Sequence, residues 1–117
     1  MRKTSILLAF SLFLLVGFQA KGQILNTKLQ VFVVNDSGNA VDSAMVYLYK
    51  TEADYDVSEN AIQSASTDAK GRVVFKKLAP TAYFMHVEKG DMTNVGRGVK
   101  TTKLVAKKKN RLNVVIE

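Results

Sequence analysis

The segment Thr67 to Gly90, TDAKGRVVFKKLAPTAYFMHVEKG, constrains the fold more than any other part of this 117-residue chain. Asp68-Ala-Lys-Gly71 is a tight turn: Asp bonds nearby backbone N–H groups, and Gly takes the positive φ that closes the turn. Val73 and Phe75 then alternate with Arg72, Val74 and Lys76. After a bend marked by Pro80, Tyr83, Met85 and Val87 alternate with Phe84, His86 and Glu88. Period-two spacing puts one set of side chains on a core face and the other outside. The segment predicts two β-strands packed on a shared interior.

The same alternation recurs along the chain. Lys28 to Asn35 carries Leu29, Val31 and Val33 on one face, with Gln30, Phe32 and Val34 on the other. Asn35-Asp-Ser-Gly38-Asn39 is a turn cluster. Ser43 to Thr51 sets Ala44, Val46 and Leu48 against Met45, Tyr47 and Tyr49. Glu52 to Asn60 reads as an acidic loop leading to a weaker strand at Ala61 to Thr67. Asp91 to Gly98 reads as a loop before a strand over Val99 to Ala106. Lys107 to Asn110 is a polar turn, and Arg111 to Glu117 closes the chain with Leu112, Val114 and Ile116 on one face. Short strands separated by turns, with no sustained helical periodicity after residue 22, predict an all-β sandwich in one domain.

The N-terminus is read as an export signal. Met1-Arg2-Lys3 is cationic, Ile6 to Phe18 is almost wholly apolar, and Ala20-Lys21-Gly22 sets small residues before a cut at Gln23. The apolar run falls short of the roughly 20 residues that span hydrocarbon. The expected organisation is a signal peptide over 1–22 and one domain over 23–117, exported to the periplasm or beyond. The sequence has no Cys, so disulfides, thiolate metal sites and a lipidated Cys are excluded. The signal holds Arg2, Lys3 and Lys21. Removing them from 17 basic residues leaves 14 against 10 acidic ones, a net charge of +4 for the exported domain.

Val31-Phe-Val-Val-Asn-Asp36-Ser-Gly38-Asn-Ala-Val41-Asp-Ser-Ala44-Met-Val46-Tyr-Leu48 resembles the opening of carboxypeptidase regulatory-like domains. Thr67-Asp68-Ala-Lys-Gly71, with Phe75, Leu78, Pro80 and Tyr83, is similar to their second half. Ala40 stands where that family usually has Pro, and Ser43 and Thr81 where it usually has Gly. The resemblance implies a seven-stranded Greek-key sandwich of the prealbumin-like type. Transthyretin-like enzymes and the B-type repeats of collagen adhesins share that fold. It also implies a structural or binding accessory more readily than an enzyme, although fold alone assigns no activity.

Three chemistries suggested by such relatives, and a calcium site besides, can be weighed against the residues here. Adhesin-type repeats join a Lys on the first strand to an Asn on the last, assisted by a buried acid. Lys28 and Asn113 lie on suitable strands, but the acid's position is occupied by Val87. Glu88, one residue on, points to the opposite face. Hydroxyisourate hydrolysis needs more than one His and a C-terminal Tyr-Arg-Gly-Ser, whereas this chain has only His86 and ends Asn113-Val-Val-Ile-Glu117. A soft-metal site from Met45, Met85, His86 and Met92 fails on facing, because Met85 and His86 are strand neighbours. A calcium site at Asp36, Asp42 and Asp68 competes with ordinary turn roles for all three. No catalytic residue, cofactor or metal is assigned.

Two surface features remain as partner candidates. Tyr47, Tyr49 and Phe84 fall on faces opposite the core, together with Phe32, Val34, Met45 and Val115; gathered on one sheet they would form a patch suited to a protein partner or a homo-oligomer. Lys107, Lys108 and Lys109 anchor a basic run from Lys100 to Arg111 suited to an acidic partner. It lacks interleaved aromatics, so nucleic acid is not expected. The reading is a non-enzymatic binding or scaffolding module of the bacterial envelope. The alternative is a periplasmic protein binding a small ligand, a carbohydrate or a metal, on the Tyr47/Tyr49/Phe84 face.

Overall fold

The computed structural model describes residues 26–117. The expected signal peptide and its cleavage point lie outside the described residues. Among the described residues seven strands form two sheets: β1 (Thr27–Val34), β2 (Met45–Tyr49), β3 (Gln63–Ser66), β4 (Arg72–Leu78), β5 (Phe84–Lys89), β6 (Met92–Thr93) and β7 (Lys109–Val115). The three-stranded sheet runs β4-β1-β7 and the four-stranded sheet β3-β2-β5-β6. All neighbours are antiparallel except β1 and β7, which run parallel from Lys28↔Lys109 to Val34↔Val115. Among the described residues no helix is long and apolar enough to cross a membrane.

The alternation read from the sequence selects the interior. Leu29, Val31, Val33, Val73, Phe75 and Val114 from one sheet meet Val46, Leu48, Met85 and Val87 from the other, all buried. The Asp68–Gly71 turn forms as expected. Asp68 Oδ1 accepts the Lys70 and Arg72 N–H groups, and Gly71 N–H donates to Asp68 O. Asn35 Oδ1 closes the first turn by accepting from Ser37 and Asn39. The ring of Tyr83 is buried, and its hydroxyl both accepts from Ala79 N–H and donates to Ala79 O, which pins the Pro80 bend to the core.

Ser43, which stands at a Gly position of the resembling family, sits at φ 56°. A left-handed conformation costs an L-residue about 1–2 kcal/mol, part of which glycine returns as chain entropy. Ser43→Gly is therefore expected to raise stability by up to about 1 kcal/mol in urea unfolding.

Two local readings are corrected. Glu52 to Asn60 is not all loop: a short helix, α1 (Glu52–Val57), occupies it. Thr51 Oγ1 caps it by accepting from Asp54 N–H at 3.1 Å, and Ser58 ends it in a left-handed turn. The strand expected over Val99–Ala106 is absent, and β6 lies instead within the expected loop. Thr101 and Leu104 are the buried residues there. That spacing of three does not fit a strand's period of two.

The edge beside β5 is nonetheless satisfied. Asn94 keeps its backbone N–H on Val87 O at 3.3 Å, and its side chain supplies the rest of the ladder: Oδ1 accepts from Val87 N–H, and Nδ2 donates to Met85 O and Gly98 O. The chain rejoins β5 only where Met85 N–H donates to Val99 O and Thr101 N–H to Tyr83 O.

Candidate functional site

The β2–β5 pair builds the most elaborated surface of the molecule. Its register sets Met45 opposite Glu88, Tyr47 opposite His86 and Tyr49 opposite Phe84, all on the outer face of the four-stranded sheet. The Tyr47 and His86 rings lie 6.1 Å apart. Tyr47 Oη donates to Glu88 Oε1 at 3.4 Å, and His86 Nε2 lies 3.1 Å from Glu88 Oε2. Lys100 Nζ sits 5.6 Å from the Phe84 ring centre, within cation–π range.

Helix α1 lies over one end of this face and contributes Tyr55. Its ring meets Tyr49 edge-on at 5.9 Å and stands 6.5 Å from both Phe84 and His86. Tyr49 is thereby only 3% exposed. Burial pushes the phenols of Tyr49 and Tyr55 above the usual tyrosine range, so both stay neutral hydrogen-bonding groups at any physiological pH. The accessible part of the candidate surface is thus Tyr47, Tyr55, Phe84, His86 and Glu88, each partly exposed. Sequence reasoning missed Tyr55. The Thr51-x-x-Asp54 spacing, which places a capping hydroxyl three residues before an acid, was the signal that could have found its helix.

The residues proposed as one partner surface are divided between two faces. Met45, Tyr47, Tyr49 and Phe84 lie on the four-stranded sheet, whereas Phe32, Val34 and Val115 lie on the outer face of the three-stranded one. Lys107 to Lys109 belong with the latter: Lys107 N–H donates to Thr27 Oγ1, and Lys109 pairs with Lys28. Lys28 and Asn113 are four ladder positions apart, since Asn113 pairs with Phe32. That is about 13 Å along a strand, too far for a covalent bond. Glu88 is on the other sheet.

The carboxylates weighed for calcium are engaged separately. Asp36 pairs with Arg97, Asp42 with Lys89, and Asp68 caps its own turn. Met85 points into the core and His86 away from it. Among the described residues no group of three or more His, Asp or Glu is placed to hold a metal ion. Two open depressions, of about 300 and 440 Å³, lie on the three-stranded sheet and share Gln30, Arg72 and Lys109.

Surface ion pairs give one pH-dependent property. Hydrogen bonds from Arg97 hold the Glu117 carboxyl below its usual range. The Lys89 ammonium does the same for Asp42, and backbone N–H donors led by Arg72 do so for Asp68. A carboxyl whose folded pKa is depressed stabilises the fold above its unfolded pKa; that contribution fades as pH falls through the folded value. The unfolding midpoint is expected to hold steady above about pH 5 and to decline below it, with a shallower decline in Arg97→Gln. A thermal melt series across that range checks this.

No family model and no curated protein sequence matches the chain. Its fold is found among solved structures at low identity. The Bacillus anthracis TIE protein aligns at 18% identity with a TM-score of 0.52, over 77% of this chain and 17% of that one. The 3-chlorocatechol 1,2-dioxygenase of Rhodococcus opacus 1CP aligns at 8% identity and 0.51, over 77% and 58%. BcpA, the major pilin subunit of Bacillus cereus, aligns at 11% identity and 0.50, over 78% and 29%. The chain therefore spans less than two thirds of the length of each. The likeness shows the fold, a prealbumin-like β-sandwich. An enzyme and a pilin subunit both carry it, so the fold by itself assigns no activity.

Proposed function

We propose that the chain is an exported, non-enzymatic binding or scaffolding module of the bacterial envelope. In this reading residues 1–22 are its signal peptide and residues 23–117 a Greek-key domain, with the outer face of the four-stranded sheet as its partner surface. One observation carries the reading: Tyr47, Phe84 and His86 on the β2–β5 strand pair, with Tyr55 from helix α1, present partly exposed rings side by side. Aromatic rings that are pre-ordered and half-buried lose little entropy on docking and dominate protein interfaces. The occurrence of the same fold in a major pilin subunit supports a structural role.

A second reading, a periplasmic binder of a small carbohydrate, is favoured by the Tyr47–Glu88–His86 hydrogen-bonding group beside the rings. The two separate experimentally. A module captures a protein from native envelope extract, and Tyr47→Ala with Tyr55→Ala weakens that capture at least about tenfold. A sugar binder captures none and melts higher with a sugar panel.

A further inference from the structure

The two outer faces of this sandwich carry opposite charge. Strands β1, β4 and β7 contain no Asp or Glu. Their outward positions include Lys28, Arg72, Lys76, Lys109 and Arg111, arranged around Phe32 and Gln30. Asp68 sits only at the margin, where it engages Arg72. The opposite side of the molecule reverses the pattern. Helix α1 and its cap present exposed Glu52, Asp56 and Glu59 beside the partly exposed Glu88 and the rings of Tyr47 and Tyr55, with Lys100 over Phe84 as a cation among them. One face is therefore basic with a shallow floor, and the other predominantly acidic with protruding aromatics.

Building on the partner surface proposed above, we infer that its occupant is a second copy of this chain, docked through the basic outer face of its three-stranded sheet. Guanidinium and ammonium groups suit both the carboxylates and the aromatic rings they would meet. The depression of about 440 Å³ lined by Phe32, Arg72, Lys109 and Arg111 receives the projecting α1 side. The two docking surfaces differ and lie on opposite sides of one molecule, so the contact is head-to-tail. Each added copy leaves both faces open at the ends, which makes a linear assembly rather than a closed dimer. The basic face measures about 14 by 23 Å from strand spacing and rise, about 320 Å² per copy, which is below the roughly 1,200 Å² total of stable specific interfaces. The association is accordingly weak and sensitive to salt.

The test uses the chain expressed with its own N-terminal segment and purified as the host leaves it. Sedimentation velocity over rising concentration should show growing oligomers at about 0.01 M salt that dissociate by about 0.5 M. Lys109→Glu/Arg111→Glu and Asp56→Lys/Glu59→Lys, all at exposed positions, should each weaken self-association at least about tenfold. Mixed in equal amounts, the two variants should assemble again, because each then meets a complementary face. Circular dichroism melts confirm that both remain folded. A wild-type chain that stays monomeric at low salt overturns the inference. So does an assembly indifferent to the reversals, or a mixture that fails to associate. Failure here, with Tyr47-dependent capture of a different envelope protein, would remove the self-docking while leaving the binding-module reading in place.

Discussion

Gly71→Ala is expected to destabilise the fold by about 2–4 kcal/mol, enough to displace its urea midpoint by a molar unit or more. Gly71 is buried at φ 76°, in the turn that delivers the chain into β4. An added Cβ there would lie 2.7 Å from Val33 O and 3.1 Å from Val41 N. Both are backbone atoms, and both are already committed: Val41 N–H donates to Val33 O, and Val33 N–H donates to Gly71 O. Relief would require moving β1 itself, so the left-handed strain and the collision add. The control is Gly38→Ala. That glycine has a similar φ of 82° but open space around it, so it should lose only the conformational part, about 1 kcal/mol.

Asn94→Ala is expected to cost about 2–4 kcal/mol and to loosen one end of the four-stranded sheet. Asn94 is fully buried, and its amide serves one N–H and two carbonyls of the main chain. Alanine leaves those groups without partners in a site closed to water, which costs more than the hydrogen bonds were worth. Aspartate keeps the acceptor for Val87 but loses the donor to Met85 O and Gly98 O, so Asn94→Asp should also be destabilising. Hydrogen exchange should report the loss locally: the amides of Met85 and Val87 lose protection in Asn94→Ala, whereas those of β1 keep theirs. Uniform loss across both sheets would mean that Asn94 supports the global fold rather than this edge.

The core was legible because it depends on local alternation. Leu29, Val31 and Val33, like Tyr83, Met85 and Val87, can be placed inward from their neighbours alone, and the turns at Asn35 and Asp68 name themselves by residue type. The readings that failed depended on something else. Helix α1 has six residues, too few for a helical period to show. The edge beside β5 is completed by the Asn94 side chain in place of continuous backbone pairing, and no alternation pattern records such a substitution. Tyr49 faces outward as its strand position requires, yet it is covered by Tyr55 from the same helix. The division of the apolar outer positions, Tyr47 and Phe84 on one sheet and Phe32, Val34 and Val115 on the other, follows from β7 running parallel beside β1. That is a pairing across some eighty residues, which short-range pattern cannot encode.

The outer face of the four-stranded sheet is the centre of the functional account, and a photo-crosslinking residue placed at position 47 in the cell tests it most directly. The account predicts a discrete covalent adduct from position 47, to an envelope protein or to a second copy of the chain, and none from a control at the exposed Val105. An adduct-free position 47 beside productive crosslinks from Val105 would contradict it.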